Sequence, residues 1–300
     1  MRIISKYKLF PVILVSVLAP VAAVAGTAGG YPGTFLRIGV GAKAMSMGGA
    51  FVGMADAVSA VYWNPAGLVQ LSGVHLTGMH TFMTLDRRYD FASFVLSYEK
   101  KQAIGISWLS YGVSNILGRD EFGNPTNGFS DSENGFILSY ATCLGKITPK
   151  LSIGINLKYL YQNLASEIAH GMGFDAGIRI KLSDYVALGL IAQDIGSSLE
   201  WQESEHKDKI PLTLRSGASI KLFNLPATVA FDLEKSAKQT MRIHLGVEFN
   251  LPALLSLRAG YDNGLRFGAG FKLSKIIVDY AVDSGNQLGI THFVSLTVIL

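Results

Sequence analysis

The sequence predicts an all-β protein: a transmembrane antiparallel β-barrel of about 14 strands with an N-terminal plug. Three observations carry this. From Leu151 to Tyr161 every second residue is apolar (Leu151, Ile153, Ile155, Leu157, Tyr159, Tyr161), while Ser152, Gly154, Asn156 and Lys158 fill the gaps, the period of a strand with one apolar and one polar face. The same alternation returns to the C-terminus, where a soluble sheet of this size would bury some strands on both faces and show continuous apolar runs. Finally, 49% of the 300 residues are hydrophobic and 16% charged, yet beyond residue 25 no stretch approaches a spanning helix. Closed strands satisfy every backbone group in lipid without helices.

The chain opens with Arg2, Lys6 and Lys8, an apolar run from Leu9 to Val24, and small residues at Ala23, Val24 and Ala25. This pattern predicts a signal peptide over 1–25 with an Ala-x-Ala site. Pro11 and Pro20 break the run, which argues against a spanning anchor. Loss of the three basic residues takes the formal charge from +4 to +1, so charge implies no nucleic-acid partner. Cys143 is the only cysteine, which excludes an internal disulfide.

Residues 26–72 read as an irregular, Gly-rich plug or hatch and 73–300 as the barrel. Parity places strands at Val74–Thr84, Tyr89–Glu99, Gln102–Ser110, Asn134–Cys143, Leu151–Asn163, Gly171–Leu182 and Tyr185–Gln193. Seven more follow at Pro211–Leu222, Ala227–Glu234, Met241–Phe249, Leu254–Tyr261, Leu265–Leu273, Ile276–Asp283 and Gly289–Leu300. Short joins near Lys100, Ser183, Asn224, Pro252 and Ser274 alternate with long polar ones over Tyr111–Glu133 and Asp194–Ile210, as expected for periplasmic turns and outer loops. The last strand puts Val294, Leu296, Val298 and Leu300 on one face. It resembles the assembly signal of outer-membrane proteins, with Leu300 in place of the usual final aromatic.

The phase that sends Ile243, Leu245, Val247 and Phe249 to lipid turns Arg242, His244 and Glu248 inward. The same rule turns Lys158, Asp175, Arg179, Arg215, Asp232, Glu234, Arg258, Arg266, Lys272 and Asp279 into the lumen. Arg or Lys on the lipid face would cost about 2 to 4 kcal/mol at midplane. Asp232 with Arg242, and Lys158 with Asp175, are the expected pairs. Two readings of this face stay open: a hydrated wall of ion pairs, or a polar conduit and docking surface for the plug. A barrel of this girth is too wide for its own side chains to fill.

The stretch from Phe35 to Leu68 reads FLRIGVGAKAMSMGGAFVGMADAVSAVYWNPAGL. Here the chain resembles the PorV/PorQ family of outer-membrane proteins, within the wider FadL-like barrel superfamily. The plug motif that carries the resemblance comprises Gly39, Gly41, Ala44, Met45, Gly48, Gly49, Phe51, Asp56, Trp63, Asn64, Pro65, Ala66 and Gly67, together with Ala42, Met47, Ala50, Ala55, Ala60 and Tyr62. Weaker echoes run on through Gln193–Gly196, Pro211–Gly217, Asp232–Lys235, His244–Glu248, Arg258–Tyr261 and His292–Leu296. Family members often carry a second acidic residue after the position of Asp56, where this chain has Ala57. The resemblance implies a plug inside the barrel and work with exported proteins at the outer membrane. Independently of it, Pro65 pushes Asn64 out of the helical region, and Gly48 and Gly49 permit close backbone approach.

Other chemistries find little support. Gly39, Gly41 and Ala44 fit G-x-G-x-x-A, but the βαβ context of a dinucleotide site is missing. The histidines lack metal-ligand spacing, with His75 and His80 on opposite faces of one strand. No G-x-S-x-G elbow occurs, and Cys143 has no evident His partner. Neither enzyme activity nor a metal or other cofactor is expected. Tyr98, Trp108, Tyr140, Tyr159 and Tyr280 suit interfacial girdles. The leading expectation is a PorV/PorQ-type, secretion-associated component that binds exported cargo proteins or secretion machinery through its long loops. The alternative is a FadL-like channel for a hydrophobic small ligand or lipid, with outer-membrane lipid around the barrel in either case.

Overall fold

The computed structural model describes residues 31–145, 150–165, 167–237, 239–285 and 288–300. The expected signal peptide over 1–25 lies outside them. The strands are β1 Gly73–Phe82, β2 Arg87–Tyr98, β3 Gln102–Ile116, β4 Phe129–Cys143, β5 Leu151–Leu164, β6 Glu167–Lys181, β7 Val186–Trp201 and β8 Lys207–Lys209. They continue with β9 Thr213–Lys221, β10 Ala227–Ser236, β11 Arg242–Asn250, β12 Leu255–Tyr261, β13 Leu265–Leu273, β14 Ile276–Asp283 and β15 Thr291–Ile299. Neighbours in sequence pair antiparallel, except that β9 pairs with β7 past β8. β1 pairs with β15 and β6 with β7, so fourteen strands close into a ring, while the three-residue β8 adds only to the outer end of β7. Closure leaves no sheet edge in the lipid.

Burial inverts the pattern of a soluble protein. On β5, Ser152, Asn156 and Lys158 are buried, whereas Ile155, Leu157 and Tyr159 are exposed on the outer wall. Tyr98, Trp108, Tyr140, Tyr159 and Tyr280 all face outward. The inner surface is filled by residues 34–71, which form a 3-10 turn Thr34–Arg37, helix α1 Ala42–Ser46, helix α2 Ala60–Trp63 and a second 3-10 turn Pro65–Gln70. Phe35, Met45, Met47, Phe51 and Leu68 are fully buried between plug and wall.

Strand extends well into both spans expected to be long loops. β3 continues to Ile116 and β4 begins at Phe129, with Tyr111 opposite Glu133 and Val113 opposite Asp131. β7 runs on to Trp201, and β8 pairs with its end. Above the lipid belt both faces of a hairpin meet water, so polar and apolar residues stop alternating although the backbone ladder persists. The result is a lopsided wall: β3 to β7 are 14 to 16 residues long, β9 to β15 no more than 10. At about 3.4 Å per residue the tall side projects outward beyond the rest.

Candidate functional site: the plugged lumen

The plug sits directly on wall glycines. Gly154 lies opposite Gly177, Gly189 opposite Gly217, and Gly246 opposite Gly260. A side chain on Gly154 would run into the backbone of Pro65 and Ala66, one on Gly189 into the Val52 carbonyl, and one on Gly260 into Met47 and Gly48. A side chain on Gly268 would run into the Tyr280 carbonyl and the Ser46 side chain. These inward glycines form a collar at which plug backbone packs against sheet backbone, a use of glycine that no larger residue can fill.

Polar wall groups satisfy the plug's irregular backbone, which has no ladder of its own. Asp232 accepts the Phe51 and Val52 N–H groups at 2.7 and 2.8 Å. Asn156 donates to the Val61 carbonyl at 2.7 Å, Gln193 to Tyr62 O at 2.9 Å, Ser152 to Ala66 O at 2.8 Å, and Arg179 Nε to Gly53 O at 3.0 Å. Ser295 Oγ accepts the Ala42 N–H at 2.9 Å, and His244 Nδ1 donates to Gly48 O at 2.9 Å.

The motif residues act from the plug side. Asn64 is extended (φ −168°), its carbonyl oxygen Oδ1 accepting Ala66 N–H and its amide donating to Val52 O and Ile178 O. Pro65 follows as the first residue of the 3-10 turn. Gly67 packs on the Ala55 backbone, Ala44 is fully buried, and Gly39, Gly41, Gly48 and Gly49 all have positive φ. Met45 lies over Gly39. Trp63 donates its indole N–H to Val40 O at 2.8 Å, and the Arg215 guanidinium lies 4.9 Å from its ring centroid. Asp56 pairs with Lys43 at 2.9 Å.

The twelve charged residues expected in the lumen stand at inward positions, and all but Arg242 and Lys272 are buried rather than hydrated. Asp232, Glu234 and Arg215 are 0%, 1% and 3% exposed, so each requires a partner. Lys158 bridges Asp175 at 2.6 Å and also contacts Asp194. Arg215 pairs with Glu234 at 2.6 Å; Arg258 joins Glu248 and Asp279, each at 2.7 Å. The expected Asp232–Arg242 pair is not formed. Register puts His244 opposite Asp232 and Arg242 opposite Glu234, and Arg242 turns to Asp262 at 2.6 Å while Asp232 holds the plug. Asp194 was expected in a loop; a bulged stretch of β7, where Asp194 (φ +63°) and Gly196 (φ +64°) both break the ladder, turns it inward beside Lys158. Among the described residues no cluster of His, Cys, Asp or Glu is arranged to hold a metal.

Cavities flank the plug at both ends. At the loop end a cavity of about 300 Å³ is lined by Phe35, Ile38, Met45, Met83, Tyr111 and Phe293, with Arg37, Arg87, Arg242 and Arg266 among its polar groups. At the turn end one of about 600 Å³ is lined by Lys43, Asp56, His75, Glu248, Arg258, Asp279 and Thr297, and one of about 380 Å³ by Met54, Gln70, Cys143, Arg179 and Lys181.

No family model and no curated protein sequence matches the chain. Solved structures do match it. The toluene transporter TbuX of Ralstonia pickettii superposes with a TM-score of 0.64 at 14% identity, covering 87% of this chain and 98% of that one. The monoaromatic hydrocarbon channel CymD gives 0.67 at 15%, with 88% and 98% covered, and a Pseudomonas aeruginosa FadL homologue 0.54 at 12%, with 85% and 95% covered. The chain has the FadL-like barrel fold.

Within this FadL-like barrel, sequence reasoning missed the collar. A signal for it exists: Gly154, Gly177, Gly189, Gly217, Gly246, Gly260 and Gly268 all stand at inward parity. Ser152, Gln193 and Ser295 carried no signal, because a small polar residue on a lumenal face looks the same whether it meets water or a plug backbone.

Proposed function

We propose that the protein is an outer-membrane passage for hydrophobic small molecules, and that it reaches that membrane through a cleaved signal peptide. The observation that carries this is the apolar side of the outer cavity, where the plug's Phe35, Ile38 and Met45 meet Met83, Tyr111 and Phe293 of the wall, beside a charged side of Arg37, Arg87, Arg242, Asp262, Arg266 and Asp283. A small apolar solute gains there by leaving water, at about 25 cal/mol per Å² of surface buried. Weak, non-directional contact of this kind lets a solute enter and leave again. The FadL-like fold shared with a toluene transporter and a monoaromatic hydrocarbon channel supports the same reading. Cells expressing the protein should take up radiolabelled toluene faster than cells lacking it. Equal rates, with the protein folded and heat-modifiable in the membrane, would sink the proposal.

A second reading, a PorV/PorQ-type partner of exported proteins, rests on the resemblance of the plug motif. Its contact surface would be the outer hairpin end, where Leu117 and Phe122 are 78% and 81% exposed. Co-purification of exported proteins, lost when both residues become Ser, is the result that reading requires.

A further inference from the structure

Of the arginines expected in the lumen, Arg215, Arg242, Arg258 and Arg266 each hold a carboxylate. Arg179 does not. It is 9% exposed, and no carboxylate among the described residues forms an ion pair with it. Its Nε donates to Gly53 O on the plug at 3.0 Å, and the guanidinium makes no other hydrogen bond among the described residues. The two terminal amino groups are left to the turn-end cavity of about 380 Å³ that Arg179 lines. A cation taken out of bulk water without a counter-charge is costly. The free end of a guanidinium is a planar pair of donors that matches an oxyanion.

The surroundings supply the rest of such a site. Five of the seven charged residues lining this cavity are basic. Both acids are already engaged, Asp56 with Lys43 at 2.9 Å and Asp184 with Lys181 at 2.7 Å. Lys100 and Lys221 form no ion pair among the described residues. Ser219 and Thr228, 8% and 7% exposed, line the same space, and neither hydroxyl has a hydrogen-bond partner among the described residues. Register gathers these groups. Arg179 stands opposite Gly189 and Lys181 opposite Ala187, Ala187 is opposite Ser219, and Thr228 is opposite Lys221. Strands lie about 4.8 Å apart and successive inward residues about 6.8 Å, so Ser219 is about 12 Å from Arg179 along the wall, one row nearer the mouth. The small Ala187 between them leaves that span open for the arginine side chain and one ion.

We propose that this cavity is a binding site for a small oxyanion, a phosphate or a carboxylate. Arg179 grips it with its terminal amino groups, Ser219 and Thr228 donate their hydroxyls, and Lys100 and Lys221 at the mouth draw it in through their unopposed charge. The cavity holds such an ion with several waters, each of about 30 Å³. Because Arg179 also bonds Gly53, the bound ion neutralises the one inward arginine that joins wall to plug without a carboxylate of its own. The site is independent of the passage reading and requires no movement of the plug.

The test is isothermal titration calorimetry of the folded barrel in maltoside micelles, with sodium phosphate and sodium acetate each added to a constant background of sodium chloride. One ion should bind per barrel, and which salt binds tighter assigns the site to phosphate or to carboxylate. Arg179→Gln should abolish binding. Ser219→Ala with Thr228→Ala, which keeps every plug contact, should weaken it by about tenfold or more; this variant decides the matter if Arg179→Gln fails to fold. Lys272→Gln with Lys275→Gln, in the other turn-end cavity, should leave the affinity unchanged. Neither salt binding above the chloride background overturns the site. Binding that survives the hydroxyl variant undiminished also overturns it. Equal weakening by the Lys272 and Lys275 changes overturns it in favour of a diffuse basic rim.

Discussion

Asp232 accepts two plug amides at once, from Phe51 and Val52, and is itself fully buried. Truncation in Asp232→Ala leaves both donors without their acceptor, a loss of about 1 to 3 kcal/mol per buried group. The variant barrel should lose its heat-modifiable folded band at lower temperature or denaturant concentration than the parent. Lys158 is the reciprocal case, one ammonium between Asp175 and Asp194. Lys158→Met strips the counter-charge from two buried carboxylates, for which about 3 to 5 kcal/mol is the usual scale of loss; adding Asp194→Asn should recover part of it in the same denaturation measurement. Gly260→Ala forces a methyl group into Met47 and Gly48 and should cost about 1 to 3 kcal/mol. Gly78→Ala, on the outer face of β1 with open space around it, should be close to neutral.

The outer hairpin formed by β3 and β4 ends in a tight loop organised by Asp120. Its carboxylate accepts the Phe122 and Asn124 N–H groups at 2.9 and 2.8 Å and the Asn124 side-chain amide at 3.0 Å. Those bonds, the Asn124 amide first, hold the Asp120 carboxyl below its ordinary value. A depressed carboxylate contributes order above its ordinary pKa and loses it as pH falls through the depressed one. The loop should therefore stay ordered at neutral pH and open in acid, read by faster amide exchange or proteolysis at Phe122; Asp120→Asn should show the open behaviour at neutral pH. Strand β5 offers the complementary test at the lipid face. Leu157→Arg places a guanidinium on the outer wall and should cost about 2 to 4 kcal/mol, seen as a loss of folded barrel on insertion into vesicles.

For the whole molecule, the plug decides whether the barrel is a pore. Fourteen strands enclose more space than their own side chains fill, and residues 34–71 occupy it. Deleting residues 31–72 should therefore convert a barrel of low conductance in planar bilayers into one with large, steady openings. The wall is also divided around its circumference. Charged residues line the lumen on β5 to β7 and on β9 to β14, whereas Tyr89, Phe91, Val95 and Leu109 make β2 and β3 largely apolar there. This division gives the plug one face held by ion pairs and glycine contact and another held by apolar packing.

Alternation along the chain was enough to establish the barrel, the fourteen crossings of the wall and the inward phase of charges such as Lys158, Arg215 and Asp279, because side-chain direction in a strand repeats every two residues wherever one face meets lipid. Pro65 after Asn64 announced a sharp turn for the same local reason. Where both faces of a hairpin leave the lipid, that rule loses its contrast, and β3, β4 and β7 consequently ran past the expected strand ends. The partners of Asp232, the inward turn of Asp194 and the glycine collar belong to the tertiary structure alone. Each depends on cross-strand register and on how an irregular plug backbone lies against the wall, and neither is encoded in the polarity of single residues.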